Sequence, residues 1–153
     1  MTAEFTNWVS FADLSELDHL EWPGVYAVAY SKVDLSGKRF KYLENIVYFG
    51  MVNVKGGLSG DLKRFYHTIN SEHSQHGGAD RFKMSLSQNV NLWKRKLYVS
   101  VMAFPGCDID SETPKNLTTR GDVLKQEYTC FAEYVKRFKK MPRFNDRKWI
   151  LRK

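Results

Sequence analysis

Cysteine and long apolar runs are what this chain has least of, and both shortages exclude classes of protein. The chain has two cysteines, Cys107 and Cys130, and their spacing fits neither a zinc module nor a disulfide scaffold. No apolar run approaches the roughly 20 residues of a membrane-spanning helix, and the N-terminus lacks a basic-then-apolar signal. We therefore expect reduced thiols, a cytoplasmic location and no membrane partner.

Acidic residues are also outnumbered, since 17 Asp and Glu against 24 Lys and Arg leave a net charge of +7. Such an excess favours a polyanionic partner, and nucleic acid is the partner we expect. The candidate nucleic-acid contacts are basic side chains that occur in clusters: Lys63, Lys94, Arg95, Lys139, Lys140, Arg143, Arg147 and Lys148. Residues 146–153 are expected to form a basic tail.

A chain of 153 residues with 42% hydrophobic and 14% aromatic residues predicts one folded domain, residues 1–153. Apolar periodicity and turn signals predict strands near 25–30, 46–52 and 97–104, and helices near 59–70, 79–90 and 122–140. Residues 1–22 are predicted to be a helical extension, and residues 105–121 a loop. The fold class expected is α+β, with a small central antiparallel or mixed sheet of three or more strands flanked by helices.

Two short motifs lie in the first two predicted strands: Gly24-Val25-Tyr26 and Val47-Tyr48-Phe49-Gly50. Each places a tyrosine beside a glycine. Downstream come Arg64 in the next predicted helix, a glutamate in the last one, and the segment Pro142-Arg143-Phe144-Asn145. In this order, over residues 24 to 145, the features resemble the GIY-YIG endonuclease family.

The resemblance implies a divalent-metal-dependent DNA endonuclease that hydrolyses phosphodiester bonds, of a phage, restriction or repair type. It implies that Tyr26 takes a proton from the attacking water, Tyr48 orients water or phosphate, and Asn145 braces the site. Arg64 would bind phosphate oxygens through its fork of donors. One carboxylate and several waters would hold Mg²⁺ or Mn²⁺, which neutralises phosphate charge.

Two glutamates compete for the metal. The separation from the Pro-x-aromatic-Asn segment that is common in the family favours Glu133. Helical geometry favours Glu127, because Leu124 at i−3 and Phe131 at i+4 put it at the edge of the predicted buried stripe. We prefer Glu127 and keep Glu133 as the competitor.

Other polar residues are accessory candidates or surface. Met51 stands where relatives have a lysine after the second motif, so Lys55 is the candidate if a lysine assists. His67 lies one residue before the position of the family's histidine, which is Thr68 here. His73 and His76 fall in a polar segment that we interpret as a solvated loop, because their spacing fits no regular metal motif.

Two further hypotheses remain beside the nuclease. The first is a catalytically inactive, basic nucleic-acid-binding module on the same fold. The second is an interaction protein in which both tyrosines are core residues and the +7 charge is incidental. The sequence leaves cleavage specificity and oligomeric state open.

Overall fold

A computed structural model describes residues 4–70, 76–88 and 96–145 of the chain. A short strand and a 3₁₀ helix come first, followed by two long strands, two helices, a fourth strand and a long helix. In chain order these are β1 (Val9–Ser10), the 3₁₀ helix (Phe11–Glu16), β2 (Gly24–Ser31), β3 (Ile46–Val52), α1 (Gly57–Asn70), α2 (Gly77–Gln88), β4 (Lys96–Ala103) and α3 (Pro114–Phe138). The fold is α+β, as the sequence predicts.

The described strands form one antiparallel sheet in the order β1-β4-β2-β3. Every residue of β2 is buried, because this strand has a neighbour at each edge and is covered on both faces. β2 and β3 pair antiparallel, with an irregularity in register between Val28 and Ala29.

Alternation along β2 divides its side chains between two hydrophobic clusters. Val25 and Ala27 pack with residues of α3, whereas Tyr26 and Val28 pack with residues of α1. β2 therefore presents alternate side chains to α3 and to α1, and Tyr26 is one of those presented to α1.

The long helix α3 begins at Pro114, eight residues before the predicted start at 122. The prediction of a loop is therefore wrong for residues 114–121. Thr113 caps the helix by accepting a hydrogen bond from the Asn116 amide, and Pro114 occupies the first helical turn, where its missing N–H costs nothing. The polar composition and Gly121, which is exposed within the helix, hid this start. The helix ends at Phe138, where Lys139 adopts a left-handed conformation with φ of 62°.

The N-terminal extension is less helical than predicted. Trp8 is fully buried in the main core, and β1 pairs with β4 through Val9 and Ser10. Within residues 4–22, helix is confined to Phe11–Glu16, which is a 3₁₀ helix, and Leu17 lies beyond its end. None of the described helices is both long and apolar enough to cross a membrane.

Candidate functional site

The two motif tyrosines lie on adjacent strands, with ring centroids 6.0 Å apart. Tyr26 is fully buried and pairs in register with Gly50 on β3. A Cβ at residue 50 would lie 2.4 Å from Cζ of Tyr26 and 2.5 Å from its hydroxyl oxygen. The glycine of the second motif is therefore required because the tip of Tyr26 occupies the space over this edge strand.

The hydroxyl of Tyr26 meets a carboxylate that the sequence analysis did not single out. It donates a hydrogen bond of 2.5 Å to Oδ2 of Asp61, and the other carboxylate oxygen accepts a 2.8 Å bond from Nη2 of Arg64. Because α1 begins at Gly57, two residues before the predicted start at 59, Asp61 lies in its second turn. Its i, i+3 relation to Arg64 was the available signal.

His76 also reaches this cluster, so its interpretation as a solvated loop residue is wrong. Its Nε2 lies 2.8 Å from the Tyr26 hydroxyl oxygen and 3.2 Å from Oδ2 of Asp61. Only 7% of its side chain is exposed, and its ring lies against the rings of Tyr48 and Phe65. The sequence carried no clear signal for this contact, because 50 residues separate His76 from Tyr26.

Charge in the cluster is distributed unevenly. Burial alone would raise the pKa of Asp61, but hydrogen bonds from His76, Tyr26 and Arg64 outweigh it and lower that pKa to about 2. Burial raises the pKa of Tyr26 well above its ordinary value, and the charge and hydrogen bond of the Asp61 carboxylate and, to a smaller extent, Glu127 raise it further. In the absence of an added cation, Asp61 is therefore a carboxylate and Tyr26 a neutral phenol.

Glu127 on α3 is half-buried and close enough to Asp61 to sense its charge. Burial first, and then the Asp61 carboxylate, raise the pKa of Glu127 to about 7. Within the described ranges its carboxylate has no hydrogen-bond or ion-pair partner. The buried face of α3 differs from the predicted stripe, because Leu124 is 43% exposed. Buried Val123 and Cys130 nevertheless place Glu127 beside the packed face of the helix.

Glu133 lies in a different environment. It forms a salt bridge and hydrogen bond with Arg137 on the helix surface, and the hydrogen bond from Arg137 lowers the pKa of its carboxyl. Its charge is thus already compensated by a neighbour one turn away. The structure brings Glu127, and not Glu133, towards the tyrosine cluster.

These donors fit a magnesium-type ion better than a zinc-type one. No group of three or more His, Cys, Asp or Glu side chains suited to a metal occurs among the residues described. The half-buried carboxylate of Glu127 is repelled by the charge of Asp61, and a divalent cation bound at Glu127 would relieve this repulsion. Mg²⁺ commonly uses one or two protein carboxylates and keeps several waters, and Glu127 with water is a donor set of this kind.

Asn145 braces the edge of the sheet. Its Oδ1 accepts from the Phe49 amide and its Nδ2 donates to the Phe49 carbonyl, each at 2.8 Å. Next to it, the Phe144 amide donates to the Val47 carbonyl at 2.8 Å. The segment therefore occupies the backbone groups on either side of Tyr48, which fixes the strand that carries this tyrosine.

Several predicted basic contacts lie on exposed surface. Lys63 precedes Arg64 on α1, and three exposed residues that we call the post-helix basic cluster follow α3: Lys139, Lys140 and Arg143. Of these, Lys140 forms an ion pair with Glu44. The remaining predicted contacts lie outside the described residues: Lys94, Arg95, Arg147 and Lys148.

The accessory candidates do not join the tyrosine cluster. Lys55 is exposed in the connection between β3 and α1, where it lines a cavity with Glu21 and Asp108. His67 is exposed on α1 and lines another cavity with Lys63. A role for either in the cluster has no support from these positions.

The site is thus a cluster of Tyr26, Tyr48, Asp61, Arg64 and His76, with Glu127 close by. Tyr26, Tyr48 and Arg64 come together from three separate elements, whereas Asp61 and His76 are additions made by the structure. In comparisons with known proteins, no family model matches the chain, and no curated sequence or solved structure is significantly similar to it.

Proposed function

We propose that this chain is a divalent-metal-dependent DNA endonuclease with a GIY-YIG-like site. The observation that carries the proposal is the convergence of Tyr26, Tyr48 and Arg64 with Glu127, whose carboxylate is half-buried and lacks a partner in the described part of the chain. A phosphodiesterase needs a phosphate-binding cation, a group that orients water and a place for a metal. This cluster offers a residue for each need.

Arg64 is the residue proposed to bind the scissile phosphate. It donates from Nη2 to Asp61, and 42% of its side chain is exposed, so part of the guanidinium faces solvent. The ion pair with Asp61 holds the guanidinium in one orientation. A preoriented guanidinium loses less conformational entropy when it binds phosphate oxygens.

Tyr26 is proposed to orient the attacking water through its hydroxyl oxygen and to receive the water's proton as the reaction proceeds. The raised pKa makes neutral phenol the resting form, so Tyr26 has to pass its own proton along its hydrogen bond to Oδ2 of Asp61 as it takes the proton of the water, a transfer that the lowered pKa of Asp61 opposes. When bound at Glu127, Mg²⁺ or Mn²⁺ would supply the positive charge that lowers this barrier and stabilises the departing oxygen. Tyr48, on the neighbouring strand, is proposed to orient water or phosphate.

DNA contact is assigned to exposed basic residues that are close to site residues in the sequence. Lys63 is adjacent to Arg64 in sequence, and the post-helix basic cluster is adjacent to Asn145, which braces β3. Lysine and arginine contacts of this kind bind phosphates without regard to sequence. We therefore propose DNA as substrate without assigning a recognition sequence.

An inactive binding module is the second candidate, and one observation favours it. Asp61 already holds both Arg64 and the Tyr26 hydroxyl, and the pKa of Tyr26 is raised, by burial first and then by its acidic neighbours. Such a cluster can be a stable structural feature. The basic surface would then bind nucleic acid without cutting it.

Paired glutamate variants separate these functions. Purified Glu127→Gln and Glu133→Gln keep the size of the side chain, and each removes one carboxylate from the same helix. With supercoiled plasmid and Mg²⁺, Glu127→Gln should lose nicking and keep binding, whereas Glu133→Gln should nick like the parent. Equal nicking by the parent and Glu127→Gln would refute Glu127 as the metal ligand, and binding without nicking by the parent would favour the binding module.

A further inference from the structure

His76 is fixed at both ring nitrogens. Its Nδ1 accepts hydrogen bonds from the backbone amides of Gly78 at 3.1 Å and Ala79 at 3.3 Å. Its carbonyl accepts from the Asp80 amide at 3.0 Å, so His76 is the N-cap residue of α2. A ring nitrogen that accepts two N–H groups carries no proton, which places the ring proton on Nε2.

This tautomer determines how the hydroxyl of Tyr26 is used. Nε2–H has two acceptors within reach, the Tyr26 oxygen at 2.8 Å and Oδ2 of Asp61 at 3.2 Å, of which the Tyr26 oxygen is the nearer, while the hydroxyl proton of Tyr26 points at Oδ2 of Asp61. A phenol oxygen has one donor proton and two acceptor lone pairs. With the proton given to Asp61 and one lone pair taken by His76, a single lone pair is left.

Packing holds the imidazole in this position. Its ring centroid lies 5.4 Å from that of Tyr48 and 4.9 Å from that of Phe65, both edge-to-face. A Cβ at residue 78 would lie 2.5 Å from Cε2 of Tyr48, so Gly78 allows α2 to approach Tyr48 this closely. The position of α2 and the orientation of Tyr26 are thereby coupled through one side chain.

We propose that His76 is a positioning residue of the site, which holds the Tyr26 hydroxyl with its proton directed at Asp61 and one lone pair left for the attacking water. The inference rests on the proposed nuclease function and adds a residue and a role to it. His76 acts through Tyr26 and touches neither phosphate nor metal. The helix α2 carries no residue of the site predicted from the sequence, but its N-cap residue, His76, is assigned this positioning role.

Two substitutions separate the capping role of His76 from its role towards Tyr26. Asparagine is a good N-cap residue, but its shorter side chain cannot both cap α2 and donate to Tyr26. His76→Asn should therefore keep the melting temperature close to that of the parent, whereas His76→Ala should lower it. Both should reduce kcat for plasmid nicking about tenfold or more, with KM unchanged, because a hydrogen bond to the reacting group is lost.

His19→Asn is the matched control. His19 is exposed with a φ of 66°, a conformation that asparagine tolerates, so this variant should nick and melt like the parent. If His76→Asn restores both stability and kcat, His76 is only a cap and the inference is overturned. If the parent never nicks, the proposed function fails, and the positioning role falls with it.

A spectroscopic measurement tests the geometry independently of activity. In ¹⁵N-histidine-labelled parent protein, the signals assigned by comparison with His76→Asn should show an unprotonated Nδ1 and a protonated Nε2. Tyr26→Phe should shift the Nε2 signal and leave the tautomer unchanged, because the cap at Nδ1 is intact. A protonated Nδ1 in the parent, or no shift in Tyr26→Phe, would overturn the inference even for an active nuclease.

Discussion

Replacing Glu127 by glutamine should change stability in a way that depends on pH. The pKa of Glu127 is about 7 in the folded protein because burial and Asp61 disfavour its charged form, against an ordinary value of 4.5. A raised pKa means that the folded state binds the proton more tightly than the unfolded chain does. The stabilising contribution of the protonated form is therefore complete below pH 4.5 and is lost as the pH rises through 7.

The magnitude follows from the same pKa. The gap between about 7 and 4.5 corresponds to about 3 kcal/mol at 1.36 kcal/mol per pKa unit. Because Glu127 is only half-buried, solvent screening reduces the expected effect to about 1–2 kcal/mol. Glutamine imitates the protonated form, so at pH 8 Glu127→Gln should melt roughly 3–6 °C above the parent.

Thermal unfolding at pH 4 and pH 8 measures this difference. At pH 4 the two proteins should melt together, since the parent's Glu127 is then protonated when folded and largely protonated when unfolded. Mg²⁺ at pH 8 should stabilise the parent and leave Glu127→Gln unchanged. Glu133→Gln, whose carboxylate is exposed and paired with Arg137, should show no gain at pH 8. A stability gap that is the same at both pH values would refute the reasoning.

Three other perturbations test the structure around the site. Gly50→Ala should lower the free energy of unfolding by about 1–3 kcal/mol, because its Cβ would collide with Tyr26. Gly121→Ala, on the open surface of α3, should raise the free energy of unfolding by up to about 1 kcal/mol. Urea titration measures both changes, and equal changes in the two variants would contradict this reasoning. Asn145→Ala should cost about 1–3 kcal/mol and reduce nicking, because both backbone groups of Phe49 lose their partner; a fully stable variant would exclude the brace. Replacing the three residues of the post-helix basic cluster with alanine should weaken binding to DNA of any sequence. The slope of log affinity against log salt concentration should become shallower by about one for each phosphate contact that is lost. An unchanged slope would show that the cluster does not contact DNA.

The sequence predicts the parts of the fold that depend on local pattern. β2 and β3 follow from runs of β-branched and aromatic residues bounded by turns, and their antiparallel pairing agrees with the expected antiparallel or mixed sheet. The start of α3 could not be placed, because Gly121 and the polar residues before it imitate a loop. β1 was missed because a two-residue strand has no periodicity, and only its pairing with β4 defines it.

The site was predictable only where residues carry a motif. Tyr26, Tyr48 and Arg64 were found from their order along the chain. Asp61 and His76 were missed because their roles depend on how α1 and the start of α2 dock against β2, which no local pattern reports. The preference for Glu127 came from helical geometry, although part of the stripe behind that argument is exposed.

Endonuclease activity is the central claim, and plasmid nicking tests it most directly. Supercoiled plasmid is incubated with purified parent protein in Mg²⁺, in Mn²⁺ and in EDTA, beside Tyr26→Phe under the same conditions. We predict conversion to the nicked or linear form with either metal, none in EDTA, and a large loss of activity in Tyr26→Phe with DNA binding retained. A parent protein that binds the plasmid but leaves it supercoiled with both metals would contradict the claim.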